Sequence, residues 1–533
     1  MAGRGSTRWW AASRLVGLML AACLQEPAFA EVRLAAVFSD HAVLQRDVPL
    51  PIWGWAEPGE AVAVTLGSAT AQAKAGEDGR WQATLPAQFA SRTPLTLVAE
   101  GRNRVEIQDL LLGDVWLCGG QSNMEWSLGA CNAPDDVRGA DDPLIRQFGV
   151  ELHFATTPQR DVRGRWTVCT PRTAAGFTAV GYHFARRVRQ AVDVPIGLVR
   201  SCVGGTNIEL WMAQDSLLQA PGLEAYAKMM RESLARHQQE LAAAVPTLEA
   251  WTAAARRAMA AGAPLPMPPP VPEFPFGEKV ARPRCVTLHN GMIAPLVPLR
   301  LKGAIWYQGE NNAGGAEDGR QYVEKTRLML ADWRRWFGND RLPFYFVQLA
   351  AWQKPSDRPE GGDGWAFIRD AQRHCLAIPH TGMAVAIDIG DTEDIHPRNK
   401  ADVGARLARW ALANEYGVRL EPSGPLFRGL RIEGDRAIVT FDHVGGGLMV
   451  GAKDGRQPVR ETPDAALRRF AVAGVDRRWQ WAAARIVGDT VECRHPDVPE
   501  PVAVRYAFTM NPADANLYNR DGLPAAPFRS DDW

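Results

Sequence analysis

The sequence lacks a charge excess of either sign: 60 Lys and Arg stand against 60 Asp and Glu in 533 residues. A nucleic-acid binder needs a basic surplus to neutralise phosphates, and docking on anionic lipid needs the same, so neither class fits. A long apolar run is also missing. Beyond residue 30 nothing reaches the roughly 18 consecutive apolar residues of a membrane-spanning helix. No CxxC pair occurs, which removes the cue for a thioredoxin site or a structural zinc. Tyrosine is scarce, with 8 residues, whereas there are 19 Trp, a surplus that suits both packed cores and surfaces that stack on sugar rings. With 46% hydrophobic and 23% charged residues, extensive disorder is excluded. At about 150 residues per domain, the length predicts three or four domains.

The first thirty residues read as an export signal. Arg4, Arg8 and Arg14 precede an apolar stretch over 15–24 and the small-x-small site Ala28-Phe29-Ala30. Leu20-Ala21-Ala22-Cys23 also has lipobox form, which makes a lipid anchor at Cys23 the alternative. The protein is thus expected in the periplasm, outside the cell, or on the outer membrane as a lipoprotein. Cleavage after Ala30 leaves seven cysteines, an odd number, so at least one thiol is unpaired within the chain.

Residues 31–110 predict a small β-sandwich, with short strands at 50–55, 61–65, 80–84 and 94–99 separated by Gly, Pro and Asp. From 111 to 417 the pattern changes. Continuous apolar runs at 115–118, 196–199, 303–307, 344–349 and 383–387 alternate with helical periodicity at 180–192, 322–337 and 401–413. That alternation predicts an α/β domain with a doubly wound parallel sheet, and a site at the carboxyl ends of its strands. Residues 213–282 interrupt it as a helical and Pro-rich insertion, with seven prolines between 264 and 275 favouring extended backbone. Residues 418–533 return to short strands and form a second β-rich domain.

Four segments carry chemistry, each just after an apolar run. In Gly119-Gly120-Gln121-Ser122-Asn123-Met124 a Ser follows two glycines, the exposure a nucleophile needs. The sequence is Gly-x-Ser-x-Met, so the α/β-hydrolase elbow is not met, and a plain helix N-cap is the alternative. Asp388-Ile389-Gly390-Asp391-Thr392-Glu393-Asp394-Ile395-His396 offers a base with carboxylates near it. A turn, a Ca²⁺ loop, or a metal-dependent hydrolase built on Asp388, Asp391 and His396 are the other readings. Trp306-Tyr307-Gln308-Gly309-Glu310-Asn311-Asn312 supplies amide donors and a carboxylate, or is simply a polar turn. Gly204-Gly205-Thr206-Asn207 offers a backbone N–H to an anion.

Together these blocks resemble the sialate O-acetylesterase family of the SGNH hydrolase superfamily. Further matching segments lie at 177–182 and 289–296, and the likeness runs from about 35 to 510 in one order. The resemblance implies an SGNH-like, flavodoxin-like doubly wound α/β esterase domain between N- and C-terminal β-sandwich domains. It implies a serine esterase acting on acetylated carbohydrate, with no cofactor and no metal. Ser122 would be the nucleophile and His396 the base. The oxyanion hole would use the N–H groups of Ser122 and Gly205, with Gln308 or Asn311. The triad acid would be Asp394 or Glu310, with Glu393 behind them. Gln121, Asn123, Trp126 and Asn290 are the candidate substrate contacts. Sialic acid is anionic, which makes Arg369 and Arg398 candidate clamps. A neutral acetylated xylan or other plant polysaccharide is the alternative, with Trp126, Trp211 and Trp352 as stacking platforms. A non-catalytic carbohydrate-binding protein is the alternative of another class. Neither nucleic acid nor a membrane span is expected, and oligomeric state is open.

Overall fold

The computed structural model describes residues 31–276 and 285–533. The expected signal segment with Cys23, and the end of the 213–282 insertion, lie outside the described residues.

A mixed sheet of eleven strands organises the fold. Its axis is the 17-residue strand Arg104–Gly120. One path across the sheet runs Gly164–Val168, Ile145–Val150, Ile196–Cys202, Arg104–Gly120, Gly303–Tyr307, Phe344–Gln348, Thr381–Val385. Every neighbouring pair on it is parallel except the first. Gly303–Tyr307 and Phe344–Gln348 are buried along their whole length, as strands covered on both faces must be. Helices Ala179–Ala191 and Lys400–Glu415 pack together on one face, where Phe184 meets Trp116 at 4.9 Å. Ala316–Trp336 and Gly364–His374 pack together on the other, where Trp333 meets Trp306 at 5.8 Å. Side-chain alternation along the axial strand serves both: Cys118 approaches Gly181, while Gly119 leaves room for Trp306 and Trp333.

The first half of Arg104–Gly120 pairs with Ser91–Glu100, which continues to Ala61–Leu66 and Ala69–Lys74, all antiparallel. A three-stranded sheet of Arg33–Leu34, Leu50–Trp55 and Arg80–Leu85 accompanies it. The boundary expected at 110/111 therefore falls inside one strand. A single hydrophobic core holds Trp53 and Val64 together with Trp116 and Trp306. From Leu426 onward, antiparallel sheets of four, three and four strands enclose a separate core around Val439, Phe470, Tyr506 and Phe528.

The insertion contains Gln214–Gln219 and the 37-residue helix Glu224–Ala260, which continues through Pro246. Only Ala227, Met230 and Ala255 of that helix are buried. Several expectations shift in position. The strand expected at 383–387 is Thr381–Val385, because the chain turns into a 3-10 segment at Ile387–Ile389. The edge hairpin of Ile145–Val150 and Gly164–Val168 and the helix Gly364–His374 were not anticipated by the apolar pattern. The seven cysteines among the described residues are all buried and unpaired. Much of the tryptophan surplus is core: Trp53, Trp81, Trp116, Trp211, Trp306 and Trp333 are each less than or about 2% exposed. No helix among the described residues is long and apolar enough to cross a membrane.

Candidate active site

The axial strand ends at Gly120, with φ +126°. A Cβ there would lie 2.2 Å from the Tyr307 carbonyl oxygen, so the turn requires glycine twice over. Gln121 N–H donates to that same carbonyl at 2.9 Å. Ser122 then opens the short helix Ser122–Glu125, whose N-cap position is Gln121 and carries no side-chain cap bond. The Ser122 hydroxyl is thus not an N-cap. Its Oγ lies 2.8 Å from His396 Nε2.

His396 sits on the loop that follows Thr381–Val385. The loop is anchored where Asn399 caps the next helix, its Oδ1 accepting from Asp402 N–H at 3.1 Å. The imidazole stacks on Trp126, with ring centres 4.6 Å apart and planes 14° from parallel. Asp394 Oδ1 accepts from the His396 backbone N–H at 2.8 Å and lies 3.4 Å from Nδ1. Glu393 is exposed and its backbone N–H donates to Asp391 Oδ1. Burial holds the His396 pKa below the usual imidazole value. The nearby Lys400 ammonium pushes in the same direction, and Asp394 opposes both.

Glu310 is brought to a different partner. Its Oε1 accepts from Asn123 Nδ2 at 2.6 Å. Its Oε2 lies 3.1 Å from the Gln121 amide nitrogen, which also reaches the Thr206 carbonyl at 3.1 Å. That amide orientation is the one that satisfies its neighbours. Both Glu310 oxygens therefore clamp the residues flanking Ser122 rather than His396, and burial raises its pKa.

The backbone N–H groups of Ser122 and Gly205 have no protein acceptor among the described residues. Gly205 has φ +68° with open space in front of it. Gly204 lies against the serine, since a Cβ there would sit 3.3 Å from Ser122 Cβ, and its N–H donates to Glu125 Oε2 at 2.7 Å. Asn311 is exposed beside this gap, with Nδ2 donating to Gly205 O at 2.6 Å and a second hydrogen left to offer. Gln308 is fully buried. Its two amide hydrogens go to Thr206 O at 3.1 Å and Asn312 Oδ1 at 2.8 Å, and Tyr322 OH donates to its Oε1. Gln308 supports the floor of the site and has no donor left for a ligand.

Other expected contacts are placed elsewhere. Asn290 is buried, with Nδ2 on Ala155 O at 3.2 Å, and so ties down a neighbouring loop. Trp126 presents a face to His396. Trp211 is core, and Trp352 packs on Trp365 at 5.1 Å. Arg369 is fully buried and spends its guanidinium on the carbonyls of Leu349, Ala350, Thr509 and Met510, which removes it as a clamp. Arg398 donates to Ala130 O at 3.0 Å. Asp388 pairs with Arg406 through both oxygens, at 2.6 and 2.8 Å. Among the described residues no group of three or more His, Cys, Asp or Glu is placed to hold a metal ion.

Sequence reasoning missed Lys400. It is fully buried below the site, and its ammonium donates to Asn123 Oδ1. The available signal was spacing: Lys400 shares the buried stripe of its helix with Val403, Leu407 and Ala411.

Residues 112–245 and 278–413 match the family of carbohydrate esterases described as sialic acid-specific acetylesterase. Sialate O-acetylesterase of Rattus norvegicus is 29% identical, over 97% of this chain and 98% of its own. The Homo sapiens enzyme of that name is 27% identical, over 93% and 92%. The crystal structure of a carbohydrate acetylesterase from Xanthomonas citri superposes with a TM-score of 0.77 at 38% identity, covering 94% of this chain and 100% of that one.

Proposed function

This chain belongs to the carbohydrate esterase family of sialic acid-specific acetylesterases, and from that premise we infer how its residues act as a carbohydrate O-acetylesterase of the sialate type. The reaction is carboxylic ester hydrolysis. The observation that carries the assignment of roles is the 2.8 Å contact of Ser122 Oγ with His396 Nε2, beside two backbone N–H groups that have no protein acceptor among the described residues.

His396 Nε2 takes the Ser122 proton as Oγ attacks the acetyl carbonyl carbon. Charge then develops on the carbonyl oxygen, where the N–H groups of Ser122 and Gly205 and the free Asn311 hydrogen meet it. His396 returns the proton to the sugar oxygen, the sugar leaves, and an acetyl-Ser122 ester remains. Water, deprotonated by His396, attacks that ester; acetate departs and Ser122 recovers its proton. Asp394 is the triad acid, being the carboxylate against the imidazole. Glu310 serves the serine turn instead.

The reading as an SGNH-like, flavodoxin-like domain is supported by strand order. Counted from Arg104–Gly120, the parallel strands other than the edge hairpin run 2-1-3-4-5. The C-terminal β-rich region, with its own core, acts as a further domain, and the chain is exported. Gln121 and Asn123 hold the serine turn, and Trp126 braces the base.

One observation favours a second substrate class. Arg369 is wholly engaged with carbonyl oxygens inside the fold and is not free for a carboxylate, whereas Arg398 is exposed and gives Ala130 O only one of its donors. A neutral acetylated polysaccharide such as xylan would need no clamp. Acetate release by residues 31–533 on 9-O-acetyl sialic acid and on acetylated xylo-oligosaccharide, run side by side, separates the two. Faster release from the sialate is expected. Release from the xylo-oligosaccharide alone transfers the assignment to neutral glycans, and release from neither contradicts both.

A further inference from the structure

We infer that Lys400, joined through Asn123 to Glu310, is a positioning residue that holds the nucleophile turn and the base loop in register. The inference rests on the reading of Ser122 as nucleophile and His396 as base. Lys400 opens the Lys400–Glu415 helix and is 0% exposed. Its ammonium donates to Asn123 Oδ1 and lies 5.5 Å from the centre of the Tyr307 ring. Asn123 is saturated on its other side. Nδ2 donates to Glu310 Oε1 at 2.6 Å and to Ile395 O at 3.1 Å. Asn123 is covalently next to Ser122, and Ile395 is covalently next to His396. One amide therefore couples the turn that bears the hydroxyl to the loop that bears the imidazole.

The chemistry at each end fixes the residue type. Oδ1 faces a cation and must accept, while Nδ2 faces a carboxylate and a carbonyl and must donate. A carboxylate at 123 would set oxygen against oxygen at both of the latter. A buried ammonium alone is costly, and the half-buried Glu310 carboxylate offsets it through the amide between them. Three ionisable groups act on Lys400: Cys131 from the Leu128–Cys131 turn, Glu310 from the loop after Gly303–Tyr307, and Asp394 from the base loop. Burial lowers the Lys400 pKa to about 8, so it remains a cation at neutral pH. That charge works against protonation of His396, which Asp394 favours.

The test is kcat and KM for an acetylated sugar as a function of pH, in wild type and Lys400→Met. Loss of register is expected to lower kcat by ~10²-fold, the cost of an ångström of misplacement, with KM nearly unchanged. Loss of the cation favours imidazolium, so the acid limb of kcat/KM should move to higher pH by about half a unit. A lowered plateau with the limb unmoved identifies a purely structural lysine and overturns the inference, as does wild-type kcat. Should Lys400→Met fail to fold, Lys400→Gln removes the cation while keeping a donor for Asn123 Oδ1; the same upward limb is expected, and an unmoved limb overturns the inference. A wild type that hydrolyses no acetyl ester contradicts the esterase reading itself.

Discussion

At the scale of single residues, the site separates donors that are spent from donors that are free. Gln308 and Asn311 lie three residues apart, and the sequence gives either a claim to the oxyanion. Burial decides between them. Gln308 has both hydrogens committed to carbonyl oxygens inside the fold, whereas Asn311 keeps one at the surface of the gap. Asn311→Ala is accordingly expected to lower kcat by ~10²–10³ with little change in KM, as loss of a transition-state donor does. Steady-state kinetics on an acetylated sugar check this, and a rise in KM at constant kcat would speak for a ground-state contact instead. The pairing of Ser122 with His396 was legible because both sit in distinctive segments after apolar runs. Which carboxylate lies against the imidazole was not. Asp394, Glu310 and Glu393 differ in which way their loops turn, and spacing does not encode that. Lys400 was overlooked because a lone lysine at the start of a helix reads as solvent-exposed until its stripe is traced.

At the scale of elements, the serine turn depends on the carboxyl ends of two neighbouring strands. Gly120 runs against Tyr307 so closely that no side chain fits. Gly120→Ala is expected to cost about 1–3 kcal/mol of stability by strain and close contact. It should also lose most activity, because the adjoining Ser122 moves with the turn. Denaturant unfolding alongside the kinetics measures both, and an unchanged midpoint would show that the turn relaxes freely. The five parallel strands were legible as unbroken apolar runs, since a strand covered on both faces admits little else. The edge hairpin was not. Gly164–Val168 is only partly covered, so its alternation is weak. The axial strand was read only at its buried end. Its first six residues alternate exposed and half-buried positions, and so looked like part of a separate sandwich.

At the scale of the whole molecule, the N-terminal sheets and the central sheet share one core, and acid sensitivity is built into it. His289 is 4% exposed and stacks on Trp336 at 4.7 Å. Burial lowers its pKa to about 4, from an ordinary value of 6.5. A folded pKa below the unfolded one means that the unfolded chain binds the proton first. The contribution is complete above pH 6.5 and is lost as pH falls toward 4. It amounts to on the order of 3 kcal/mol. Urea unfolding across that range should show falling stability, and His289→Phe should flatten the slope. An equal slope in the variant would place the acid sensitivity elsewhere. The account as a whole stands on Ser122 as the nucleophile. The most direct measurement is acetate release from an acetylated carbohydrate by wild type and by Ser122→Ala at equal protein concentration. A fall of ~10⁴-fold or more is predicted, in line with removal of a nucleophile whose partners remain. Release by the variant at the wild-type rate would contradict it.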